Sequence, residues 1–159
     1  MNSSGTAAVT LPSASQILIR REFASPKHLV YRAWTTPELI KRWWSGDRGE
    51  VLSAEVDLRV GGRWRYVMVA RGGFEVAFHG VYREIVSNER IVSTEVYEAR
   101  PSAEGVSTVT FAAQDGRTTL NILMQLESQT ERDLVISSGM EGGMQESLDH
   151  LEEVVASLG

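Results

Sequence analysis

The chain has 159 residues, 42% of them hydrophobic, which suits one globular domain large enough to bury a core. Its formal net charge of -5 argues against binding to nucleic acid, because a phosphate-binding surface needs an excess of cations. No cysteine is present, which excludes disulfides, thiolate nucleophiles and sulfur-ligated metals. The apolar runs are shorter than the roughly 20 residues of a membrane span, and the first residues lack the layout of a secretory signal, so we expect a cytoplasmic protein.

The first residues differ in composition from the rest of the chain. Residues 1–15 are small and polar without periodicity, which predicts a flexible leader before a single domain of residues 16–159. The segment "ILIRREF" then alternates between apolar and polar residues and predicts a first strand over residues 17–23.

Two helix starts follow this strand in quick succession. Ser25 with Pro26, and Thr36 with Pro37, each combine an N-cap residue with a proline at the first helical position. The sequence therefore predicts two short helices with a kink near Thr35.

From residue 51 the apolar period changes to two, the period of a half-buried strand. Six segments show this period: "VLSAEVDL", "GRWRYVMVA", "FEVAFHGVYREIV", "RIVSTEVYE", "STVTFAAQ" and "TTLNILMQL". Turn-forming pairs lie between them, at Gly61-Gly62, Gly72-Gly73, Asn88-Glu89 and Asp115-Gly116. Such short connections predict antiparallel neighbours.

The chain ends in a helical pattern. Ser128 with Glu131, and Ser138 with Glu141, have the spacing of a capping box. An apolar stripe at three- and four-residue steps follows, formed by Met140, Met144, Leu148, Leu151, Val155 and Leu158. We therefore predict an α+β fold in which a seven-stranded antiparallel sheet wraps around a long C-terminal helix, with two short helices after the first strand.

This architecture predicts a cavity of roughly 300 to 1,000 Å³ between the sheet and the C-terminal helix, the usual size of a small-molecule site. Tyrosine hydroxyls there would need a partner, which water or a polar group of a ligand can supply. The expected lining consists of inward-facing strand residues, the adjacent tryptophans and the helix stripe: Trp43, Trp44, Trp64, Tyr66, Met68, Phe78, Tyr82, Tyr97, Met124, Met140, Gly143, Met144 and Leu148.

The adjacent tryptophans cannot share one direction, because neighbours on a helix diverge by about 100°. We expect Trp43 to pack in the core and Trp44 to lie at the rim of the cavity; the alternative is that both rings fill the end of the sheet. Gly142 and Gly143 likewise have two interpretations, close packing of helix on sheet or an opening for a ligand.

No catalytic group is predicted. His28 lies in a first helical turn, His150 lies off the apolar stripe, and His79 has the outward parity of its strand. The H-E-x-x-H, G-x-S-x-G and phosphate-loop motifs are all missing from the sequence. We therefore expect neither a metal nor a cofactor.

Five blocks carry a family resemblance: "RREFASPKHLVYRAWTTPELIKRWW", "DLRVGGRWRY", "HGVYREIVSNERIV", "DGRTTL" and "SGMEGGMQESLDHLEEV". In this order they resemble the homologues of the heat-shock-protein-90 ATPase activator, within the START and birch-pollen-allergen (SRPBCC) superfamily. The resemblance spans residues 17–157 and implies a helix-grip fold. The superfamily includes lipid and hormone binders, transfer proteins and polyketide cyclases, so the fold alone does not fix an activity.

Three functions remain open. The first is binding of a small hydrophobic molecule in the cavity, with weak catalysis or none, in a stress-related role. The second is a cyclase- or hydrolase-type enzyme, which a buried Arg or His directed at a tyrosine hydroxyl would favour. The third is a stress-linked module that acts on a chaperone, which a large exposed apolar patch would favour. Both a monomer and a homodimer fit the sequence.

Overall fold

The computed structural model describes residues 6–159 and shows one antiparallel sheet with helices on one face. Among these residues the strands are β1 (Ala8–Thr10), β2 (Gln16–Phe23), β3 (Gly49–Val56), β4 (Arg63–Ala70), β5 (Glu75–Val86), β6 (Arg90–Tyr97), β7 (Glu104–Gln114) and β8 (Arg117–Gln125). The helices are α1 (Lys27–Thr35), α2 (Pro37–Ile40), α3 (Gln129–Ser137) and α4 (Met140–Leu158). The strand order is β1-β2-β8-β7-β6-β5-β4-β3, and every pairing is antiparallel.

The α+β helix-grip architecture is confirmed, with eight strands instead of the seven predicted. The additional strand, β1, lies inside the segment predicted to be a leader and pairs with β2. Just before it, the backbone of Ala7 exchanges two hydrogen bonds with the side-chain amide of Gln145 on α4, at 3.0 and 2.7 Å. The predicted leader therefore contributes an edge strand from residue 8, and its residues 1–5 lie outside the described part of the chain.

The connections follow the turn residues of the sequence. Asp115 and Gly116 both have positive φ, 53° and 77°, and form the two-residue turn between β7 and β8. Asn88 and Gly73 also adopt positive φ, in the turns that precede β6 and β5. The antiparallel order of β4 to β8 is thus set locally.

Two of the four helix starts lie where they were predicted. Thr36 precedes α2 with Pro37 at its first position, and the Ser128 hydroxyl accepts a hydrogen bond from the backbone N–H of Glu131 at the start of α3. Helix α1 starts one residue later than predicted, after Pro26.

The other differences concern the residues at which α4 starts and α2 ends. Ser138 ends α3 instead of starting α4, because Gly139 intervenes with a φ of 85° that turns the chain sharply. Helix α2 ends at Ile40, so both Trp43 and Trp44 lie in a run of turns.

No helix among residues 6–159 is long and apolar enough to cross a membrane.

The main hydrophobic core lies between α4 and one half of the sheet. Leu148, Leu151 and Val155 of α4 are almost fully buried. They belong to one cluster with residues of β2, β8, β7 and α1, among them Ile17, Ile19, Leu120, Ile122, Phe111, Val30 and Ala33. The strands β4 to β6 contribute fewer fully buried side chains to this cluster.

A buried cation joins α4 to the sheet. The side chain of Arg21, on the inner face of β2, is only 2% exposed, and its two terminal nitrogens lie 2.7 Å from Asp149 and 2.6 Å from Glu152. These two carboxylates are three residues apart and therefore share one face of α4. The guanidinium also lies 5.5 Å from the ring centroid of Phe23. This ion-pair triad fixes the position of α4 along β2.

Trp64 lies across the sheet in a space that Gly80 leaves open. The indole N–H of Trp64 on β4 donates to the backbone oxygen of Thr94 on β6, at 3.2 Å, so the ring spans the intervening strand β5. A Cβ atom at Gly80 would lie 1.8 Å from that oxygen and 2.6 Å from the indole nitrogen. Any side chain at residue 80 is therefore incompatible with this ring position.

Replacing Arg21 with methionine should lower the free energy of unfolding by about 2–4 kcal/mol, since it removes the cation and leaves two carboxylates beside an apolar face. Urea denaturation measures the change. The matched control is Arg20→Met on the same strand, where the side chain is exposed. Equal effects of the two substitutions would contradict the stabilising role of the triad.

Replacing Gly80 with alanine should cost about 2–3 kcal/mol, because it displaces Trp64 and breaks its hydrogen bond. Thermal unfolding and the tryptophan fluorescence spectrum should both change. Gly105→Ala is the comparison, since its Cβ would lie 3.2 Å from the nearest atom. A Gly80→Ala variant as stable as Gly105→Ala would show that the Trp64 ring does not depend on a glycine at residue 80.

Candidate ligand-binding site

The residues predicted to line a cavity divide into two groups by burial. Five are buried within the protein: Trp43, Trp64, Met68, Tyr82 and Leu148. The others are half-buried, or exposed in the case of Tyr97: Trp44, Tyr66, Phe78, Tyr97, Met124, Met140, Gly143 and Met144. The first group contributes to the core, and the second group is the part of the predicted lining that is open to solvent.

Trp43 belongs to the core, as predicted for its orientation. Its indole N–H donates to the backbone oxygen of Ala33 at 2.9 Å, and its ring stacks on Trp34 with a centroid distance of 4.9 Å. Met68 is likewise buried, with its terminal methyl group directly beside Gly49 on the edge strand β3. Neither side chain faces open space.

Trp44 is more exposed than Trp43, as predicted, and lies against two aromatic rings of the sheet. Its ring meets Tyr66 at 5.3 Å and Phe78 at 5.7 Å, both edge-to-face. Phe78 in turn stacks on Tyr97, with a centroid distance of 5.0 Å and an interplanar angle of 25°. We call Trp44, Tyr66, Phe78 and Tyr97 the aromatic shelf. The backbone oxygen of Trp44 accepts a 2.7 Å hydrogen bond from Ser147, which ties the shelf to α4.

A glutamate lies beside this shelf on the inner face of the sheet. Glu95 is on β6, two residues before Tyr97 and therefore on the same face. In the register of the sheet, Gly105 on β7 lies directly opposite Glu95. On the other side, the pairing of His79 with Val96 places Gly80 of β5 opposite Glu95. With a glycine on each side, Glu95 has no side chain directly opposite it on either neighbouring strand, and the space over Gly80 is taken by the indole ring of Trp64, which reaches Thr94 next to Glu95. Among residues 6–159 it makes no hydrogen bond and no ion pair.

The protein environment perturbs the titration of these groups. Burial raises the pKa of Glu95 from 4.5 to about 7, with no charged group as a further cause. Burial also raises the pKa of Tyr66 well above its usual value, and the neighbouring Tyr82 and Glu95 add to the effect. The pKa of Tyr82 is raised too, mainly by burial. A carboxyl group close to half protonation at neutral pH thus lies next to two neutral phenols.

Glu95 is a residue that sequence reasoning missed. Its segment "RIVSTEVYE" has apolar residues on both faces, so alternation could not decide which face points inward. The buried Ile91 and the shelf residue Tyr97 share its parity, which is the available signal. The two flanking glycines become visible only when the strand register is known.

Gly142 and Gly143 at the start of α4 lie beside the side chain of Arg48. A Cβ atom there would lie 3.4 Å from the guanidinium carbon of Arg48, and one at Gly142 would lie 2.9 Å from an Arg48 terminal nitrogen. The glycines therefore make room for an arginine of the α2–β3 loop at the first turn of α4. The contact with Arg48 is a third reason for small residues here, beside close packing on the sheet and a ligand opening.

Two clefts lie beside the α2–β3 loop and not between the sheet and α4. The first, about 460 Å³, is lined by Asp47, Arg48, Ala70, Arg71, Gly72, Phe74 and Glu146. The second, about 450 Å³, is lined by Gly46, Asp47, Gly49, Glu50, Val69, Ala70 and Arg71. Neither cleft includes a residue of the predicted lining, so the half-buried shelf and these clefts are separate surfaces.

The outer face of the sheet carries a charged cluster. Glu98 accepts two hydrogen bonds from Arg65, at 2.8 and 2.9 Å, and its carboxylate lies 2.8 Å from a ring nitrogen of His79. These contacts hold the pKa of Glu98 at about 2, with the Arg65 hydrogen bond as the main cause. His79 is thus exposed on the outside, as predicted, and away from the shelf. Within residues 6–159 no cluster of His, Asp or Glu is arranged to hold a metal ion.

Comparison with known proteins supports the fold over most of the chain. The profile of the family "Activator of Hsp90 ATPase homolog 1-like protein" matches residues 24–156. A crystal structure from Rhodobacter sphaeroides is 24% identical with a TM-score of 0.88, covering 96% of this chain and 99% of that chain.

Two further solved structures are similar. A protein of Nitrosomonas europaea is 25% identical with a TM-score of 0.81, over 92% of this chain and 97% of that chain. A protein of Chromobacterium violaceum is 27% identical with a TM-score of 0.79, over 90% and 98% of the two chains. Comparison with curated proteins found no match. Because the family profile covers residues 24–156, the chain belongs to the family of activator of Hsp90 ATPase homolog 1-like proteins.

Proposed function

We propose that the protein binds a small, largely hydrophobic molecule on the aromatic shelf. The observation that carries this proposal is the incomplete burial of four aromatic rings on the inner face of the sheet, beside polar groups without partners. Aromatic and apolar walls with a few convergent polar groups are typical of small-molecule sites. Helix-grip domains suit such binding because their sheet curves around the helix.

The side chains around the shelf can adapt to a ligand. Met124 of β8 and Met140 and Met144 of α4 are half-buried and pack against the hydrophobic core, as do Trp44, Tyr66 and Phe78 of the shelf. Methionine has a flexible, polarisable side chain that fills irregular space. A ligand could therefore be accommodated by side-chain movement without a change in the backbone.

The polar groups of the shelf support a ligand with at least one polar atom. The hydroxyls of Tyr66, Tyr82 and Tyr97 make no hydrogen bond to any group in the described part of the chain. Tyr97 is exposed and Tyr66 is half-buried, so a ligand or water can reach these hydroxyls and supply their partners.

The two alternative functions lack the features that would favour them. Arg21 is buried but pairs with two carboxylates instead of pointing at a tyrosine hydroxyl, and His79 is on the outer face. The exposed large apolar side chains come from different elements, including Leu52 on β3, Val86 on β5 and Leu134 on α3. These observations favour binding over catalysis or chaperone contact.

The neutral fluorophore N-phenyl-1-naphthylamine should bind with saturation and increased emission. Trp44→Ala should weaken this binding about tenfold or more, because it removes one wall of the shelf. Fluorescence titration measures both affinities, and circular dichroism checks that the variant is folded.

Phe74→Ala is the matched control for this experiment. Phe74 is 61% exposed and lines the cleft beside Arg71, away from the shelf. We expect its removal to leave probe affinity unchanged. Binding that is lost in Phe74→Ala and retained in Trp44→Ala would move the site to that cleft and overturn the proposal.

A further inference from the structure

We propose that Glu95 binds the ammonium group of an amphipathic amine whose apolar part lies on the aromatic shelf. This inference rests on the proposed function and names the chemical class of its ligand. It starts from the position of Glu95, a carboxylate on the inner face with glycine on both neighbouring strands and without a partner among residues 6–159.

The groups near Glu95 are neutral, so the carboxylate favours a cation as its ligand. Tyr66 on β4 and Tyr82 on β5 are neutral phenols with raised pKa values, and β7 contributes the hydroxyl of Ser107. The inward stripe of α4 begins with uncharged methionines, Met140 and Met144. No positive group perturbs the Glu95 carboxyl, since burial is the cause of its shifted pKa.

The arginines that could have neutralised Glu95 are engaged elsewhere. Arg21 on the inner face binds Asp149 and Glu152 of α4. Arg65 lies on the outer face with Glu98. A cationic ligand would therefore complete a charge pair that the described residues leave open, whereas an anionic ligand would be repelled.

Neighbouring hydroxyls suit the geometry of an ammonium group. Ser93 on β6 and Ser107 on β7 lie directly opposite each other on the same face as Glu95. Both are mostly buried, and neither hydroxyl has a hydrogen-bond partner in the described residues. A primary ammonium has three N–H donors, and one carboxylate with two hydroxyls offers three acceptors.

The aromatic rings add a second attraction. A cation close to the face of an aromatic ring is stabilised by the negative potential of that face. Tyr97 lies two residues after Glu95 on β6 and is 38% exposed. Phe78 on β5 pairs with Tyr97 and is therefore diagonal to Glu95. The same rings would cover the apolar part of the ligand.

Binding of the ammonium should release a proton. The free protein holds Glu95 partly protonated near neutrality, and a bound cation favours the ionised carboxylate. The proton passes to the buffer, and no covalent bond changes. Affinity for the amine should therefore rise between pH 6 and pH 8, while affinity for a neutral analogue should not.

The test compares 2-(2-naphthyl)ethylamine with 2-(2-naphthyl)ethanol, which differ only in the polar group. At pH 8 the wild-type protein should bind the amine about tenfold or more tightly than the alcohol. Calorimetry at pH 6 in two buffers of different ionisation enthalpy should show proton release for the amine alone. Glu95→Gln should abolish both the preference and the proton release, and should leave alcohol binding within about twofold.

Glu55→Gln is the matched control, because Glu55 is an exposed strand glutamate on β3. It should keep the wild-type preference. Equal affinities of wild type for amine and alcohol, or a preference that survives Glu95→Gln, would overturn the inference while leaving the proposed function intact. If neither compound nor the neutral fluorophore binds, the proposed function itself fails. Ser107→Ala provides a second variant, with an expected partial loss of amine affinity.

Discussion

The buried arginine of β2 determines which part of the sheet the terminal helix can cover. Arg21 must keep its two carboxylate partners, because an unpaired guanidinium in that position would be very unfavourable. Its partners Asp149 and Glu152 are on α4, so the second half of that helix is held above β2 and β8. The helix therefore buries most of the inward side chains of this half of the sheet and leaves several inward side chains of β4 to β6, among them Tyr66 and Phe78, only partly covered. The aromatic shelf and Glu95 lie in the part that remains.

The two halves of the inner face of the sheet differ in the side chains that they bury. The half beneath α4 is packed with aliphatic side chains such as Ile17, Ile19 and Leu151 and contributes stability through burial. The other half contains an unpaired carboxyl group that works against stability. Because the folded-state pKa of Glu95 is above 4.5, folding favours its protonated form, so its contribution to stability decreases as pH rises from about 4.5 to about 7. A group that costs stability at neutral pH is characteristic of a site built for binding.

Local patterns in the sequence were sufficient for most of the fold. Turn pairs such as Asp115-Gly116 and the stripe of α4 depend on neighbouring residues, and the structure confirms them. Strand β1 was missed because three residues, Ala8–Thr10, are too short for periodicity and form a strand only by pairing with β2. The orientation of Trp43 relative to Trp44 was predictable because adjacent side chains must diverge. The partners of Trp43 and of Gly143 were not, since Ala33 and Arg48 reach them through tertiary packing.

Glu95 is a partly buried carboxyl group on the inner face of the sheet, without a charge partner among residues 6–159. Its titration can be measured directly by carbon-13 NMR of the glutamate side-chain carboxyls, with Glu95→Gln used to assign the resonance. We expect a midpoint near pH 7 in the free protein, and a lower midpoint when 2-(2-naphthyl)ethylamine is added. A midpoint near the ordinary value of 4.5, unchanged by the amine, would contradict it.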